Sequence, residues 1–431
     1  MSLTPEGYLP RIVDQTLSKY LNIFGAISIE GPKWCGKTWT ATHHGESIVY
    51  LMDPADDYKV RKRAELNPAL ILEGVTPRVI DEWQEVPGIW DAVRFSVDQA
   101  KGRGRYLLTG SVTPLRKKYR HSGAGRFAVL EMRSMSLFES GESSGEISLK
   151  SLFGGETYVP IVAEIDLKSL INITVRGGWP ETLSLSQEEA SAVSRSYLDA
   201  VIKNNLFDEE TPQRNPEKLS RLLYALGRSN ATTVNDSTLL ADYLGEQTDE
   251  DDGTRSLSRK TMLDYLNDLK RIYIIEEIPA WNPNVRSRVR IRQAQKRIFT
   301  DPSLAIAAQN IGPEHLLEDL NTYGFMFENL CLRDLAIYSR HHGGNVFHYR
   351  DNSGLEADAI VEMPGGQWGA FEIKLGQNQV DAAAKSLTRL KKKMIDAMAE
   401  PPACLVVITG GGTGYQREDG ISVVPITALG I

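Results

Sequence analysis

The 431-residue chain has three cysteines, Cys35, Cys331 and Cys404. Their odd number and wide spacing form neither a disulfide framework nor a metal-binding motif. A reducing, cytoplasmic setting is therefore expected. No apolar run approaches about 18 residues, so no membrane-spanning helix is expected. Thr4-Pro5-Glu6 is not a basic, apolar leader, so no signal peptide is expected either. An excess of positive charge is also missing. The chain has 49 Lys and Arg against 56 Asp and Glu, for a net charge of −7. That excludes a uniformly nucleic-acid-binding surface, and any such binding must come from local patches. Internal repeats are absent. The biased stretches are short: a Ser/Gly/Glu run at 139–146 and an acidic turn at 249–252. Hydrophobic residues make up 41%, enough for folded cores, and the length suits roughly three domains.

What is present starts at residues 31–38, GPKWCGKT, a complete G-x-x-x-x-G-K-[ST] phosphate-binding loop. The apolar run Ala26-Ile27-Ser28-Ile29 precedes it as a strand, and a helix is predicted from Thr38 to Thr42. Strand, glycine loop and helix together present backbone N–H groups to a triphosphate at a positive helix end. Gly31, Pro32, Lys33, Trp34, Cys35, Gly36, Lys37 and Thr38 are the candidate nucleotide-binding residues. Lys37 supplies a cation for the β- and γ-phosphates, and Thr38 offers a hydroxyl to Mg²⁺. The expected ligands are ATP and Mg²⁺. Cys35 is either a small residue filling a tight loop or a thiol activated by the helix end.

From about 20 to 160, short β-rich runs alternate with helical ones, which predicts a parallel α/β sheet. The candidate strands are 26–30, 47–51, 78–81, 105–109 and 127–131. The third ends in Val79-Ile80-Asp81-Glu82, a Walker B pattern. Asp81 serves the Mg²⁺ shell, and Glu82 polarises the attacking water. The fourth ends in Thr109-Gly110-Ser111, where Thr109 or Ser111 suits a γ-phosphate sensor or simply a turn. Arg126 is either an arginine finger acting across a subunit boundary, in a homo-oligomer, or a solvated loop arginine. The strings IDEWQEVPGIWDAVRFSVD, LLTGS and MRSMSLFE resemble one branch of the AAA-type ATPases, although Met135 stands where that pattern has proline.

Residues 165–210 read as helical apart from Gly177-Gly178-Trp179-Pro180-Glu181, a motif that recurs in the same ATPase group. Residues 216–280 have the cadence of a winged helix-turn-helix: helices at 219–227, 234–244 and 258–270, then a strand at 272–278 leading to a wing. The third helix exposes Arg259, Lys260, Asp264 and Asn267, suiting either DNA contact or protein docking. Residues 285–292, VRSRVRIR, place Arg286, Arg288, Arg290 and Arg292 on one face of a strand. They are answered by a nucleic-acid backbone or by internal acids such as Asp208, Glu209, Glu210 and the 249–252 turn.

The C-terminal third carries Glu328 on a helix, Asp358 on a strand, and Glu372-Ile373-Lys374 on a second strand. Alternation puts Glu372 and Lys374 on one face beside Asp358. Asp358 and Glu372 are candidate Mg²⁺ ligands, with Lys374 and Glu328 as helpers. The order resembles the restriction-endonuclease-like PD-(D/E)XK domain that accompanies this ATPase branch in prokaryotic proteins. The expected fold is thus α/β: an AAA-type P-loop core (1–160), a helical lid plus winged helix-turn-helix (161–310), and a nuclease-like domain (311–431). The expected function is Mg²⁺-dependent ATP binding and hydrolysis coupled to a DNA-related task. The alternatives are a slow nucleotide switch that docks proteins and an ATP-gated DNA nuclease.

Overall fold

The computed structural model describes residues 3–55, 57–100, 102–111, 123–203, 214–245, 256–283 and 294–431. The arginine strand (Arg286, Arg288, Arg290, Arg292) and its candidate acidic partners at 208–210 and 249–252 lie outside the described residues. The chain forms two compact units. The first spans Met1–Ser134 with Arg271–Tyr273, and the second holds most of the remainder. Residues 135–160, expected with the ATPase core, fall in the second unit, as do the lid and the C-terminal region.

The first unit is built on five parallel strands: β1 (Ala26–Glu30), β2 (Ser47–Tyr50), β3 (Arg78–Asp81), β4 (Tyr106–Gly110) and β5 (Phe127–Glu131). Their order is β2-β3-β4-β1-β5. β1 and β4 are almost wholly buried, as central parallel strands covered on both faces must be. The two tryptophans of the IDEWQEVPGIWDAVRF string pack into the core. The Trp90 and Phe127 rings stack 3.9 Å apart, and Trp83 lies 5.0 Å from Trp90. Parallel pairing brings the C-terminal ends of β1, β3 and β4 together at one edge, where α/β sheets bind ligands.

In the second unit, helices Leu167–Arg176, Gln187–Lys203, Pro216–Arg228, Asp236–Leu244 and Arg259–Arg271 come first. Asp166, Asn215 and Asn235 cap three of them through side-chain oxygens. An antiparallel pair follows, β8 (Ile275–Ile278) with β9 (Lys296–Phe299). The strand expected from 272 starts later because Tyr273 sits in the left-handed region (φ 58°). Short β6 (Ile147–Ser148) pairs with β16 (Leu429–Gly430). The main sheet contains β7 (Ile161–Ala163), β10 (Asn345–Arg350), β11 (Glu356–Glu362), β12 (Trp368–Lys374), β13 (Cys404–Thr409), β14 (Gly412–Gln416) and β15 (Ser422–Pro425). Their order is β10-β11-β12-β13-β15-β14-β7. The helix Val380–Asp396 buries Leu387 and Leu390 against it.

The GGWPE motif is a packing hub. A Cβ on Gly178 would lie 2.1 Å from the Met135 carbonyl oxygen, and Gly177 has φ 75°. Without side chains there, the Gly178 N–H reaches Asp301 Oδ2 at 3.0 Å, and Trp179 Nε1 reaches Ser303 Oγ at 3.0 Å. Asp301 and Asp334 flank the fully buried Arg333 guanidinium, at 3.0 and 2.8 Å. Asp334 also accepts the Leu137 N–H at 2.9 Å. The Met135 N–H donates to the Gly178 carbonyl at 2.6 Å, a bond that proline at this position would lose.

Candidate functional site

The phosphate loop joins β1 to the helix Lys37–His44. Gly31 (φ 154°) has no room for a Cβ, which would meet the Met132 carbonyl oxygen at 2.0 Å. Gly36 (φ 96°) makes the left-handed turn into the helix. Trp34 is exposed and also left-handed (φ 67°), a strained conformation of the kind that collects at binding loops. Pro32 and Cys35 are buried, and Lys33 is half-buried. The Cys35 Sγ lies 3.8 Å from the Met132 carbonyl oxygen. The Lys37 ammonium is folded onto its own loop, donating to the carbonyls of Gly31 at 3.0 Å and Pro32 at 2.7 Å.

Three strand ends then converge. Thr38 Oγ1, at the first turn of the helix, donates to Asp81 Oδ1 at 2.7 Å. Thr109 Oγ1, at the end of β4, donates to the same oxygen at 2.7 Å. Burial raises the pKa of Asp81, and these two hydroxyls act against that shift. Thr109 also accepts the Glu82 N–H at 3.3 Å, so one hydroxyl ties both acidic residues to β4. Glu82 is left-handed (φ 55°). Its Oε2 accepts from Gln84 Nε2 and, at 3.2 Å, from Ser111 Oγ. Gly110 leaves space for Gln84, whose Oε1 would lie 2.9 Å from a Cβ there.

Sequence reasoning missed the residues that brace the loop from behind. Buried Arg11 donates to the Cys35 carbonyl at 2.6 Å and to the Arg133 carbonyl at 2.8 Å. Tyr8 bonds Asp14 at 2.7 Å, and the same carboxylate meets His44 Nε2 at 3.1 Å. No spacing marks these residues, because their targets are backbone carbonyls and a helix far along the chain. Arg126 is placed away from this edge. It precedes β5, and its carbonyl accepts the Gly25 N–H at the N-terminal end of the sheet. Its guanidinium bonds Asp98 at 2.8 Å. Within one copy it does not join the phosphate loop.

The second constellation is brought together in the second unit. β11 and β12 are antiparallel with Ala359 opposite Phe371, and the next step of that register sets Asp358 opposite Glu372. Lys374 Nζ bridges the pair, 2.9 Å from Asp358 Oδ2 and 2.7 Å from Glu372 Oε2. The Ile373 N–H also donates to Asp358 Oδ2, at 2.7 Å. The missed residue here is Lys296 on β9. Its buried ammonium pairs with Glu328 and donates to the Asp358 carbonyl at 3.1 Å. Burial pushes Glu328 and Glu372 up to about 7. Burial would also raise Asp358, but the Lys374 and Lys296 cations outweigh it and hold that group low.

Each donor set can be tested against the ion it implies. At the phosphate loop, the Thr38 hydroxyl and the Asp81 carboxylate share one point, and no ammonium lies on Asp81 among the described residues. That set suits Mg²⁺. The Asp358–Glu372 pair does not, because a lysine ammonium stands where a cation would bind both carboxylates. No cluster of three or more His, Cys, Asp or Glu groups suited to a metal occurs among the described residues. In this conformation Lys374, expected beside Asp358 and Glu372, occupies the space between the two carboxylates.

Comparison with known proteins agrees with the first site. Residues 24–140 match a family model described as an AAA domain. Residues 167–315 and 323–429 match two families described as domains of unknown function, DUF8612 and DUF4143. Relatives include the uncharacterized protein Rv2008c of Mycobacterium tuberculosis and Mb2031c of Mycobacterium bovis. Each is 23% identical over 415 residues, 95% of this chain and 82% of theirs. Among solved structures, the Walker-type ATPase PABY2304 of Pyrococcus abyssi is 12% identical. It covers 72% of this chain and 98% of its own, with a TM-score of 0.45. The signal-transduction ATPase PH0952 of Pyrococcus horikoshii gives 12%, 79%, 48% and 0.22 in the same order. No helix among the described residues is long and apolar enough to cross a membrane. The phosphate loop and the Walker B strand both lie within residues 24–140, the stretch that matches the AAA-domain model.

Proposed function

We propose that the first unit binds ATP with Mg²⁺ and hydrolyses it. The observation that carries this reading is the single oxygen of Asp81 that both Thr38 and Thr109 reach at 2.7 Å, directly beside Glu82. The loop N–H groups and the helix end at Lys37 hold the phosphates. Lys37 leaves the carbonyls of Gly31 and Pro32 to pair with the β- and γ-oxygens. Thr38 and Asp81 would hold Mg²⁺, which would supply neutralising charge for the phosphates. Glu82 accepts the proton of the attacking water, and Gln84 and Ser111 set the direction of its carboxylate. Thr109 fixes the Glu82 backbone, and Thr109 or Ser111 would sense the γ-phosphate. Steady-state hydrolysis by the intact chain, compared with Glu82→Gln, tests this. Equal rates would remove Glu82 from its role.

The coupled task is DNA-related in this reading. Helices 216–228, 236–244 and 259–271, followed by the β8–β9 pair, have the order of a winged helix. Arg259, Lys260 and Asn267 are exposed on the third helix. ATP turnover with and without duplex DNA, across salt concentrations, tests it. Failure of DNA to bind or stimulate would remove the DNA task and leave ATP hydrolysis standing. A specific observation favours the second reading, a slow switch that docks proteins. Cations of the hairpin region are answered internally: Arg297 by Asp236 and Glu277, and Lys270 by Glu277. The nuclease reading has the least support, given the lysine bridge.

A further inference from the structure

The main sheet of the second unit has two outer strands, and they are treated differently. β10 is covered: His348 exchanges backbone bonds with Pro279 and Trp281, at 3.0 and 2.7 Å. β7, at the other end, pairs with β14 through Ile161–Gly414, Val162–Thr413 and Ala163–Gly412. No strand lies on its far side among the described residues. Val162 is 66% exposed and Val159 81% exposed. A bare edge is a template for another strand, which proteins ordinarily cover or charge.

Beside β7 is an open cavity of about 360 Å³. Ile161, Ile165 and Ile173 supply apolar wall, and Glu142, Glu146 and Glu164 supply carboxylates. No Lys or Arg lines it. Glu142 is paired with Arg176, but the Glu146 and Glu164 side chains have no ion pair among the described residues. Thr427 and Ala428 complete the wall. The site thus combines unpaired strand edge, apolar wall and uncompensated negative charge.

We propose that β7 and this cavity form a docking site for an extended segment of a partner protein with lysine or arginine at alternate positions. The partner's backbone adds to β7 as a further strand, giving affinity without sequence demand. Its basic side chains, all on one face by the two-residue period, enter the cavity. Their aliphatic stems lie on the isoleucines, and their charged ends meet Glu146 and Glu164. An acidic strand is repelled by these two exposed carboxylates, and a purely apolar one leaves them unanswered. The proposal does not depend on ATP hydrolysis.

The test uses the full chain and a labelled, end-capped peptide of four Val-Lys repeats, read by fluorescence anisotropy. Saturable binding is expected. Glu146→Gln with Glu164→Gln should weaken it at least tenfold while leaving the unfolding temperature and ATP binding unchanged. The same peptide N-methylated at alternate residues, which cannot form a ladder, should also lose at least tenfold. A Val-Glu peptide should not bind. No saturable binding, equal affinity for the double variant, or equal affinity for the N-methylated peptide would each overturn the proposal.

Discussion

The P-loop site and the Asp358 cluster are built from the same parts: a strand carboxylate, a second acidic residue close by, and a lysine. They differ in where the lysine rests. Lys37 rests on two backbone carbonyls, which are neutral and easily given up. Asp81 is held by hydroxyls alone, so its charge stays available to a cation. Lys374 instead rests on both carboxylates, and Lys296 takes the third. Breaking a buried pair by removing one partner leaves an uncompensated charge, so the lysines of the second site are far harder to displace. One arrangement is poised for a ligand, and the other is already neutralised from within.

The largest expected effect separates the two sites by function. Glu82→Gln should lower kcat for ATP by about 10² to 10³ while keeping nucleotide affinity, because it removes a base and leaves the loop intact. Asp358→Asn should leave ATP turnover unchanged. If Asp358→Asn instead slows turnover as much as Glu82→Gln, the two sites act as one and the comparison fails. Next in size is Lys37→Ala. It should weaken ATP binding at least about tenfold, or ~1.4 kcal/mol, in direct titration of the folded variant. Unchanged affinity would show that the lysine never leaves the loop carbonyls.

These parts were unequally legible in the sequence. The loop and its helix follow from eight contiguous residues, because glycine conformation and phosphate geometry are local constraints. All five strands of the first sheet were placed within about a residue, since buried parallel strands leave continuous apolar runs. Asp358, Glu372 and Lys374 were also foreseen together, because alternation and one hairpin fix their register. What stayed hidden was long-range. Lys296 reaches Glu328 across 32 residues and the Asp358 carbonyl across 62. Arg11 reaches Arg133 across 122. Each target has no residue-type signature. The pairing of exposed Arg126 with Asp98, 28 residues earlier, was hidden for the same reason.

Metal binding sharpens the comparison at intermediate size. Calorimetric titration of the nucleotide-free protein with Mn²⁺ should show no site that depends on Asp358 and Glu372. Lys374→Met removes the bridging ammonium and leaves two buried carboxylates facing each other. That variant should bind Mn²⁺ at least about tenfold more tightly than the parent, a change of ~1.4 kcal/mol. Mn²⁺ binding to the parent that disappears in Asp358→Asn would show that the lysine yields to the ion.

The smallest expected effect is the second site's contribution to the pH dependence of stability. Glu372 titrates near about 7 in the folded protein, mainly through burial and the neighbouring Asp358 charge. Unfolded, it titrates at the ordinary value of about 4.3. Between those values the native state binds more protons than the unfolded state, so stability falls as pH rises. The contribution is fully present below the ordinary value, is lost as pH passes 7, and is flat beyond. Asp358, held low by Lys374, works in the opposite direction and matters only in acid. Glu328 is raised to about 7 as well, so the two groups add to each other in the wild-type slope. Glu372→Gln removes one of them. Coupling to Lys374 trims the effect, so the variant should lose only about 1 kcal/mol less than the parent between pH 5.5 and pH 8. In thermal unfolding that is about 2–4 °C for a unit of this size. The Asp81 carboxylate is also raised by burial, but Glu372→Gln leaves that contribution in place, so the difference between the two slopes belongs to Glu372. A parent and a Glu372→Gln variant with identical slopes would place the proton elsewhere and undo the contrast between a site left open for a cation and one closed by its own lysines.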